Sequence, residues 1–202
     1  MPQAVAADSL RRVRTLQAIT VVWMGAETAL CLFAAWQARS PALLAFGGDS
    51  AIELASAVIV LCRFSANPAL EHAERRAAQI AGTLLFALVP CVIAVSVMAL
   101  VGYGEAKPNL LGIGVLVAAA VFMPWLAKQK RRLSVETGSA ALRADAVESA
   151  VCGYLSLIAL SGLILNWVGH ISWADPAAAL LLIPLVLREA WEAVKGNSCT
   201  CD

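Results

Sequence analysis

The sequence predicts an all-α integral membrane protein, a bundle of six transmembrane helices with both termini in the cytoplasm. Hydrophobic residues make up 60% of the 202 residues and charged residues only 14%, whereas soluble domains carry roughly 25% charged residues. The apolar residues fall into six blocks, each near or above the ~20 residues that a helix needs to cross the hydrocarbon core. Most Lys and Arg residues lie at the block ends that would face one side of the membrane, and this bias indicates the orientation of the helices.

The six blocks are interpreted as helices because membrane strands alternate apolar and polar residues, and these blocks do not. The blocks are Leu16–Gln37, Pro41–Phe64, Ala77–Tyr103, Leu110–Lys128, Ala140–Val168 and Ile171–Ala193. We therefore expect a cytoplasmic N-terminal segment at 1–15, a transmembrane domain at 16–196 and a cytoplasmic tail at 197–202. The first block contains Glu27 and lacks a convincing cleavage site, so we interpret it as a retained helix rather than a signal peptide.

Charge placement predicts the orientation of the helices. With the N-terminus in the cytoplasm, all but two of the 15 Lys and Arg residues lie at cytoplasmic block ends, and the exceptions are Arg39 and Lys107. Because basic residues cluster at block ends, including the run from Lys128 to Arg132, we expect no Lys or Arg deep enough to pair with an acid in the membrane. The compact loops and the Ala- and Leu-rich blocks favour a bacterial inner membrane.

Several acids lie inside the apolar blocks, where each costs about 2.5–3.5 kcal/mol on insertion scales. They are Glu27, Asp49, Glu53, Asp145 and Glu148. Snorkelling to the interface explains Asp145, which is near the cytoplasmic end of its block, but explains the deeper acids poorly. Acids at such depth without basic partners indicate a functional site.

Two of the blocks each offer a pair of candidate ligands at similar depth. Asp49 and Glu53 are four residues apart and share a helix face, as do Glu148 and Cys152. Three carboxylates and one thiolate suit a divalent transition ion with a tetrahedral preference, zinc above all. The thiolate favours zinc, cadmium or a similar ion over magnesium and calcium. The sequence thus predicts one metal site shared by the two helices.

Two further features carry candidate roles. Glu27 lies at a similar depth and could be a proton relay or a supporting group, although a role in helix packing is equally consistent with a polar side chain there. Cys199 and Cys201 form a Cys-x-Cys pair on the tail, which could capture a soft ion before transport or could be incidental thiols of a chain end. None of the six cysteines falls in a predicted outside loop, so we expect no structural disulfide.

Several stretches of the sequence resemble the cation diffusion facilitators, a family of six-helix divalent-metal/proton antiporters. The matching stretches are "LLAFGGDSAIELASAVIVLCRF" at 43–64 for the family's second helix, "NPALEHAERRAAQIAG" at 67–82 for the segment after it, and "ALRADAVESAVCGY" at 141–154 for the fifth helix. The stretch "AVIVLCRFS" at 57–65 is also similar to the eukaryotic transmembrane 163 proteins of this superfamily. The resemblance covers nearly the whole chain.

The resemblance implies a set of metal ligands, and this sequence departs from the family pattern at several points. Its register makes Asp49, Glu53, Glu148 and Cys152 the ligands and leaves Asp145 as a supporting residue. The family usually has Asp in place of Glu53, and often His then Asp in place of the helix-five pair, so metal choice is not carried over. Members usually end in a cytoplasmic metal-binding domain, whereas this chain stops soon after its sixth block. We therefore expect a short form without that domain.

A cluster of buried acids predicts proton exchange as well as metal binding. Acidic ligands packed together in a low-dielectric site cannot all ionise without a cation. Metal binds the deprotonated forms, so binding expels protons. If the site opens alternately to each side, metal leaves the cytoplasm as protons enter. We therefore expect a secondary transporter that exports zinc, or next cadmium or a similar ion, as a homodimer in lipid, without a resident cofactor or a nucleic-acid partner.

Other function classes are consistent with parts of the pattern. A non-transporting metal-binding modulator of another transporter would use the same ligands. A proton-coupled transporter of organic cations would use the acids without metal. An enzyme is not expected, because the sequence shows no Ser or Asp arrangement of protease type and no dense Asp motif for a lipid pyrophosphate. The absence of a P-loop excludes a nucleotide-driven pump.

Overall fold

The computed structural model describes residues 2–63, 71–103, 106–107 and 109–195, and within these ranges every regular element is an α-helix. The all-helical prediction is confirmed for this part of the chain. The helices are α1 Pro2–Ala38, α2 Pro41–Arg63, α3 Glu71–Leu100, α4 Leu110–Thr137, α5 Ala140–Gly169 and α6 Ala174–Lys195.

Three of the helices contain a stretch that is long and apolar enough to cross a membrane. These stretches are Arg11–Ala38 in α1, Leu110–Thr137 in α4 and Asp145–Gly169 in α5. In α3 the corresponding apolar stretch, Phe86–Leu100, is shorter. Length and composition of the described residues thus support an integral membrane protein, while six spans and cytoplasmic termini stay predictions.

Four helices form one bundle, and the other two form a pair beside it. In the bundle, α1 packs on α2 and α4, and α5 packs on α4 and α2. Helices α3 and α6 pack on each other and reach the bundle through α2 and α5. Fully buried apolar side chains of the bundle include Met24, Phe46, Leu116, Met123 and Leu155. The polar residues described below lie among them.

A two-residue connection joins α4 to α5 and sets the two helices side by side. Gly138 ends α4 in the left-handed conformation, with φ 64°, and its N–H donates to the Ser134 carbonyl. Ser139 then caps α5, because its hydroxyl accepts a hydrogen bond from the Leu142 N–H at 3.3 Å. The tight connection fixes how residues of the end of α4 meet those of the start of α5.

The N-terminal end of α2 is held by a carboxylate from α6. Asp175 accepts hydrogen bonds from the Ser40 hydroxyl at 2.5 Å and from the Ala42 N–H at 3.3 Å. A carboxylate at a helix N-terminus satisfies backbone N–H groups that have no partner within the helix. This contact ties the α3–α6 pair to the bundle at the end where α2 begins.

Helix α4 continues past Lys128, the predicted end of the fourth block, and reaches Thr137. Its buried residues in this region recur at helical spacing: Met123, Leu126, Ala127, Lys130 and Ser134. The neighbouring Lys128, Arg131 and Arg132 are exposed, because consecutive residues of a helix point in different directions. Lys130 is fully buried, so the expectation that no Lys or Arg lies deep enough to pair with an acid is wrong.

Helices α5 and α6 approach each other closely at Gly162. A Cβ atom at this position would lie 2.6 Å from the Ala178 Cβ and 3.1 Å from the Ala174 carbonyl oxygen. Neither atom is at the end of a flexible side chain, so a larger residue would force the helices apart. Gly114 of α4, in contrast, has nothing within 4 Å of the same position.

We expect Gly162→Ala to lower the free energy of unfolding by about 1–3 kcal/mol, because overpacking forces backbone shifts. Gly114→Ala is the matched control and should leave stability unchanged or slightly higher, since Ala favours the helix. Thermal unfolding in detergent, followed by circular dichroism, measures both variants. Equal unfolding midpoints for the two variants would contradict the close approach of α5 and α6.

Candidate metal centre

A polar network lies inside the bundle of α1, α2, α4 and α5. Helical spacing puts its members on inward faces, because residues four or seven positions apart lie one above the other. On α5 these are Asp145, Ser149 and Cys152, and on α2 they are Asp49 and Glu53. All five side chains are buried. The network therefore occupies positions that apolar residues would otherwise fill.

On α1, the Glu27 carboxylate accepts hydrogen bonds from three neutral donors. The Ser50 hydroxyl of α2 donates to its Oε1 atom at 2.8 Å, and the Trp23 indole N–H donates to its Oε2 atom at 2.7 Å. The Trp23 ring in turn packs on Phe122 of α4, with ring centroids 4.3 Å apart. The Cys152 thiol of α5 lies 3.8 Å from Oε1 and donates to it. Glu27 thus links three helices directly.

Glu53 forms the second acidic contact of Cys152. The Ser149 hydroxyl donates to the Glu53 Oε1 atom at 2.8 Å, and the Cys152 thiol, which has a single hydrogen to donate, lies within reach of Glu53 as well as of Glu27. Asp49 lies within electrostatic range of the thiol. Cys152 is therefore flanked by Glu27 from α1 and Glu53 from α2, with Asp49 nearby.

The network continues to a fully buried ion pair between α4 and α5. The Lys130 ammonium is 2.8 Å from Asp145 Oδ1 and 2.8 Å from the Ser149 hydroxyl oxygen. The second carboxylate oxygen of Asp145 accepts a hydrogen bond from the Gln17 amide at 2.5 Å. Asp145 does not snorkel to an interface here. Its charge is satisfied inside the bundle by Lys130 and Gln17.

The structure brings most of the predicted site residues together. Glu27, Asp49, Glu53 and Cys152 are buried at one place in the bundle. Glu148 is half-buried and lies within electrostatic range of Glu53. The predicted supporting residue, Asp145, joins the same network through Lys130 and Ser149. The candidate capture pair, Cys199 and Cys201, lies outside the described residues.

The acids are held by hydrogen bonds rather than gathered around one point. In the part of the chain that the structure describes, no three or more Asp, Glu, His and Cys side chains are grouped closely enough to hold a metal ion. Serine and indole donors occupy carboxylate oxygens of Glu27 and Glu53. A cation would have to displace these neutral donors to gather the acids, so the ligand role of Asp49, Glu53, Glu148 and Cys152 stays a prediction.

Sequence reasoning missed the residues that satisfy the acids. Lys130, Ser149 and Gln17 were not among the candidates, and neither were Trp23 and Ser50. A helical reading of α4 could have found Lys130, because it lies four positions from Leu126 and seven from Met123, both buried. Ser50 and Ser149 directly follow Asp49 and Glu148 in the sequence, but a serine next to an acid is not a motif that sequence analysis would single out.

Oxygen and sulfur atoms on three helices give this place the chemistry of a cation site. Carboxylates and a thiol suit zinc and softer divalent ions. Burial among apolar residues strengthens the attraction between acids and a cation. Helices that contribute only one or two donors each can also change the geometry of the site by moving relative to one another.

The chain was compared with known proteins. Residues 18–198 match the model of the cation efflux transmembrane domain. The chain is also similar to the uncharacterized transporter YdbO of Bacillus subtilis (strain 168), with 28% identity over 172 residues. This alignment covers 79% of the chain and 58% of the relative, so the chain spans less than two thirds of that protein. Because the family model matches nearly its whole length, the chain belongs to the cation efflux family of membrane transporters.

Proposed function

We propose that this protein exports a divalent transition-metal cation from the cytoplasm in exchange for protons. Zinc is the first candidate substrate, and cadmium or a similar ion is the next. The observation that carries the proposal is the Cys152 thiol, buried in contact with Glu27 of α1 and Glu53 of α2. A buried thiol flanked by carboxylates is suited to a soft or borderline divalent ion.

The proposed ligands are Asp49, Glu53, Glu148 and Cys152. Support comes from the burial of three of them at one place and from the position of Glu148 beside Glu53. Metal binding would draw these groups together and release the neutral donors, such as the Ser149 hydroxyl, that now hold Glu53. A charged metal–carboxylate contact is stronger than a hydrogen bond from a neutral hydroxyl, so the exchange is favourable.

Proton exchange follows from the same groups. A thiol must lose its proton to become a metal ligand, and carboxylates bind metal in their ionised form. Loading the site with metal therefore expels protons, and loading it with protons expels metal. Under the usual inward proton gradient this linkage drives metal out of the cytoplasm. We further propose six spans, cytoplasmic termini and a homodimer in a bacterial inner membrane, in accord with the charge distribution and the family.

Glu27 is proposed as a relay between the site and protons. It contacts the Cys152 thiol at 3.8 Å and is held in place by Ser50 and Trp23. A carboxylate in this position can accept the proton that the thiol loses when metal binds. The cytoplasmic Cys199–Cys201 pair is proposed as a capture site, on the chemistry of its thiols alone.

A second function is a metal-binding modulator of another transporter. The observation that favours it is the closed hydrogen-bond pattern around Glu27 and Glu53, which a regulatory site with slow exchange would also have. Such a protein would bind metal without moving it across the membrane. Flux measured with the purified protein alone separates this function from transport.

We expect Glu53→Gln to reduce zinc uptake into proteoliposomes by at least about tenfold, because it removes a proposed ligand charge from the buried site. Uptake is measured under an imposed pH gradient and after its collapse. Glu136→Gln is the matched control, since Glu136 is an exposed acid near the end of α4.

Wild-type zinc flux that is equal with and without the pH gradient would contradict proton exchange. Zinc flux at the wild-type rate in Glu53→Gln would contradict the proposed ligand role of Glu53. Metal binding without flux in the wild type supports the modulator, and no metal binding supports an organic-cation substrate.

We expect Cys152→Ser to weaken cadmium binding about tenfold or more and zinc binding less, because the hydroxyl is a harder ligand than the thiolate. Isothermal titration of the purified protein with each metal gives both affinities. Cys91→Ser is the control, since Cys91 is an exposed thiol of α3. An unchanged ratio of cadmium to zinc affinity in Cys152→Ser would exclude the thiol as a ligand.

A further inference from the structure

Lys130 is a fully buried lysine in the apolar stretch of α4. It lies on the same helix face as Met123 and Leu126, which are buried apolar residues. A buried ion pair is weak evidence for stability, because the desolvation of both ions can exceed their mutual attraction. The ion pair of Lys130 and Asp145 therefore calls for a role other than packing.

A short chain of contacts connects the Lys130 ammonium to a proposed ligand. The ammonium donates to the Ser149 hydroxyl oxygen at 2.8 Å, and the same hydroxyl donates its single hydrogen to Glu53 at 2.8 Å. Ser149 can satisfy both contacts only in this orientation. The positive charge thus stands one hydroxyl away from Glu53, and its field acts on that carboxylate.

We propose that Lys130 is a positioning residue that holds a fixed positive charge beside the metal site and so weakens metal binding enough for release. This inference rests on the proposed function. A transporter must bind its substrate strongly enough to load it and weakly enough to let it leave, as an ion pathway must. A site with several acids around a thiol would hold a divalent ion too tightly without a nearby opposing charge.

Asp145 completes this arrangement as the charged partner of the ammonium. It holds the ammonium at 2.8 Å, and Gln17 of α1 holds the second carboxylate oxygen. Lys130 and Asp145 together add no net charge to the network. Removing either partner leaves the other as an uncompensated charge near the site, and the two removals change the local charge in opposite directions.

These opposite signs distinguish the proposal from a structural role. If the ion pair only joined α4 to α5, removal of either charge would loosen the bundle and weaken metal binding in both variants. If Lys130 opposes the substrate charge, Lys130→Met leaves a negative site and binds metal more tightly. Asp145→Asn leaves a positive site and binds it more weakly. The double variant restores the wild-type charge and should restore the wild-type affinity.

The experiment measures zinc affinity and zinc transport for the full chain. We expect the dissociation constant to fall by at least about tenfold in Lys130→Met and to rise by a similar factor in Asp145→Asn. In proteoliposomes, Lys130→Met should lower both KM and maximal rate, because tight binding slows release. Lys128→Met is the control, because it removes the positive charge of an exposed lysine on the same helix.

Each outcome has a defined meaning. Zinc affinities that are equal in all variants, or that fall in both single variants, would overturn the role of Lys130 while leaving the proposed function intact. If the wild type binds neither zinc nor cadmium, the proposed function itself fails. If Lys130→Met does not fold, Lys130→Gln removes the same charge with a polar side chain; tighter zinc binding in this variant supports the proposal, and unchanged or weaker binding overturns it.

Discussion

Burial of charge inside a helix bundle is the constraint on which the rest of this structure depends. A carboxylate or ammonium in an apolar medium is costly unless it has a charged or hydrogen-bonding partner. Glu27 and Glu53 are satisfied by serine, indole and thiol donors, and Asp145 is satisfied by Lys130 and Gln17. Every pairing crosses between helices or successive turns, so the network also fixes how α1, α2, α4 and α5 face one another.

The two ends of the network differ in a way that suits transport. Around Cys152 the acids accept hydrogen bonds from neutral donors. Around Asp145 the partner is the ammonium group of Lys130. Ser149 touches both ends, since it accepts from Lys130 and donates to Glu53. A single hydroxyl therefore connects the two ends of the network.

The sequence predicted the helices and which buried acids lie near one another, but not how their charges are satisfied. The i, i+4 spacing of Asp49 and Glu53 was enough to place both on one buried face, and Cys152 lies buried within electrostatic range of both. Lys130 was missed because it lies within a run of basic residues that composition assigns to a cytoplasmic loop. Its burial depends on the continuation of α4 to Thr137 and on Asp145 across the hairpin. Long-range pairings of this kind leave no local pattern.

Cys152 and its neighbouring acids are proposed to bind the transported cation. The most direct test is cadmium titration of a variant in which Cys152 is the only cysteine, followed by the ultraviolet charge-transfer band of a cadmium–thiolate bond. We predict a band that saturates at one cadmium per chain and that disappears when Glu53→Gln is added. A folded protein that shows no band, or a band unaffected by Glu53→Gln, would contradict a shared site of thiolate and carboxylates.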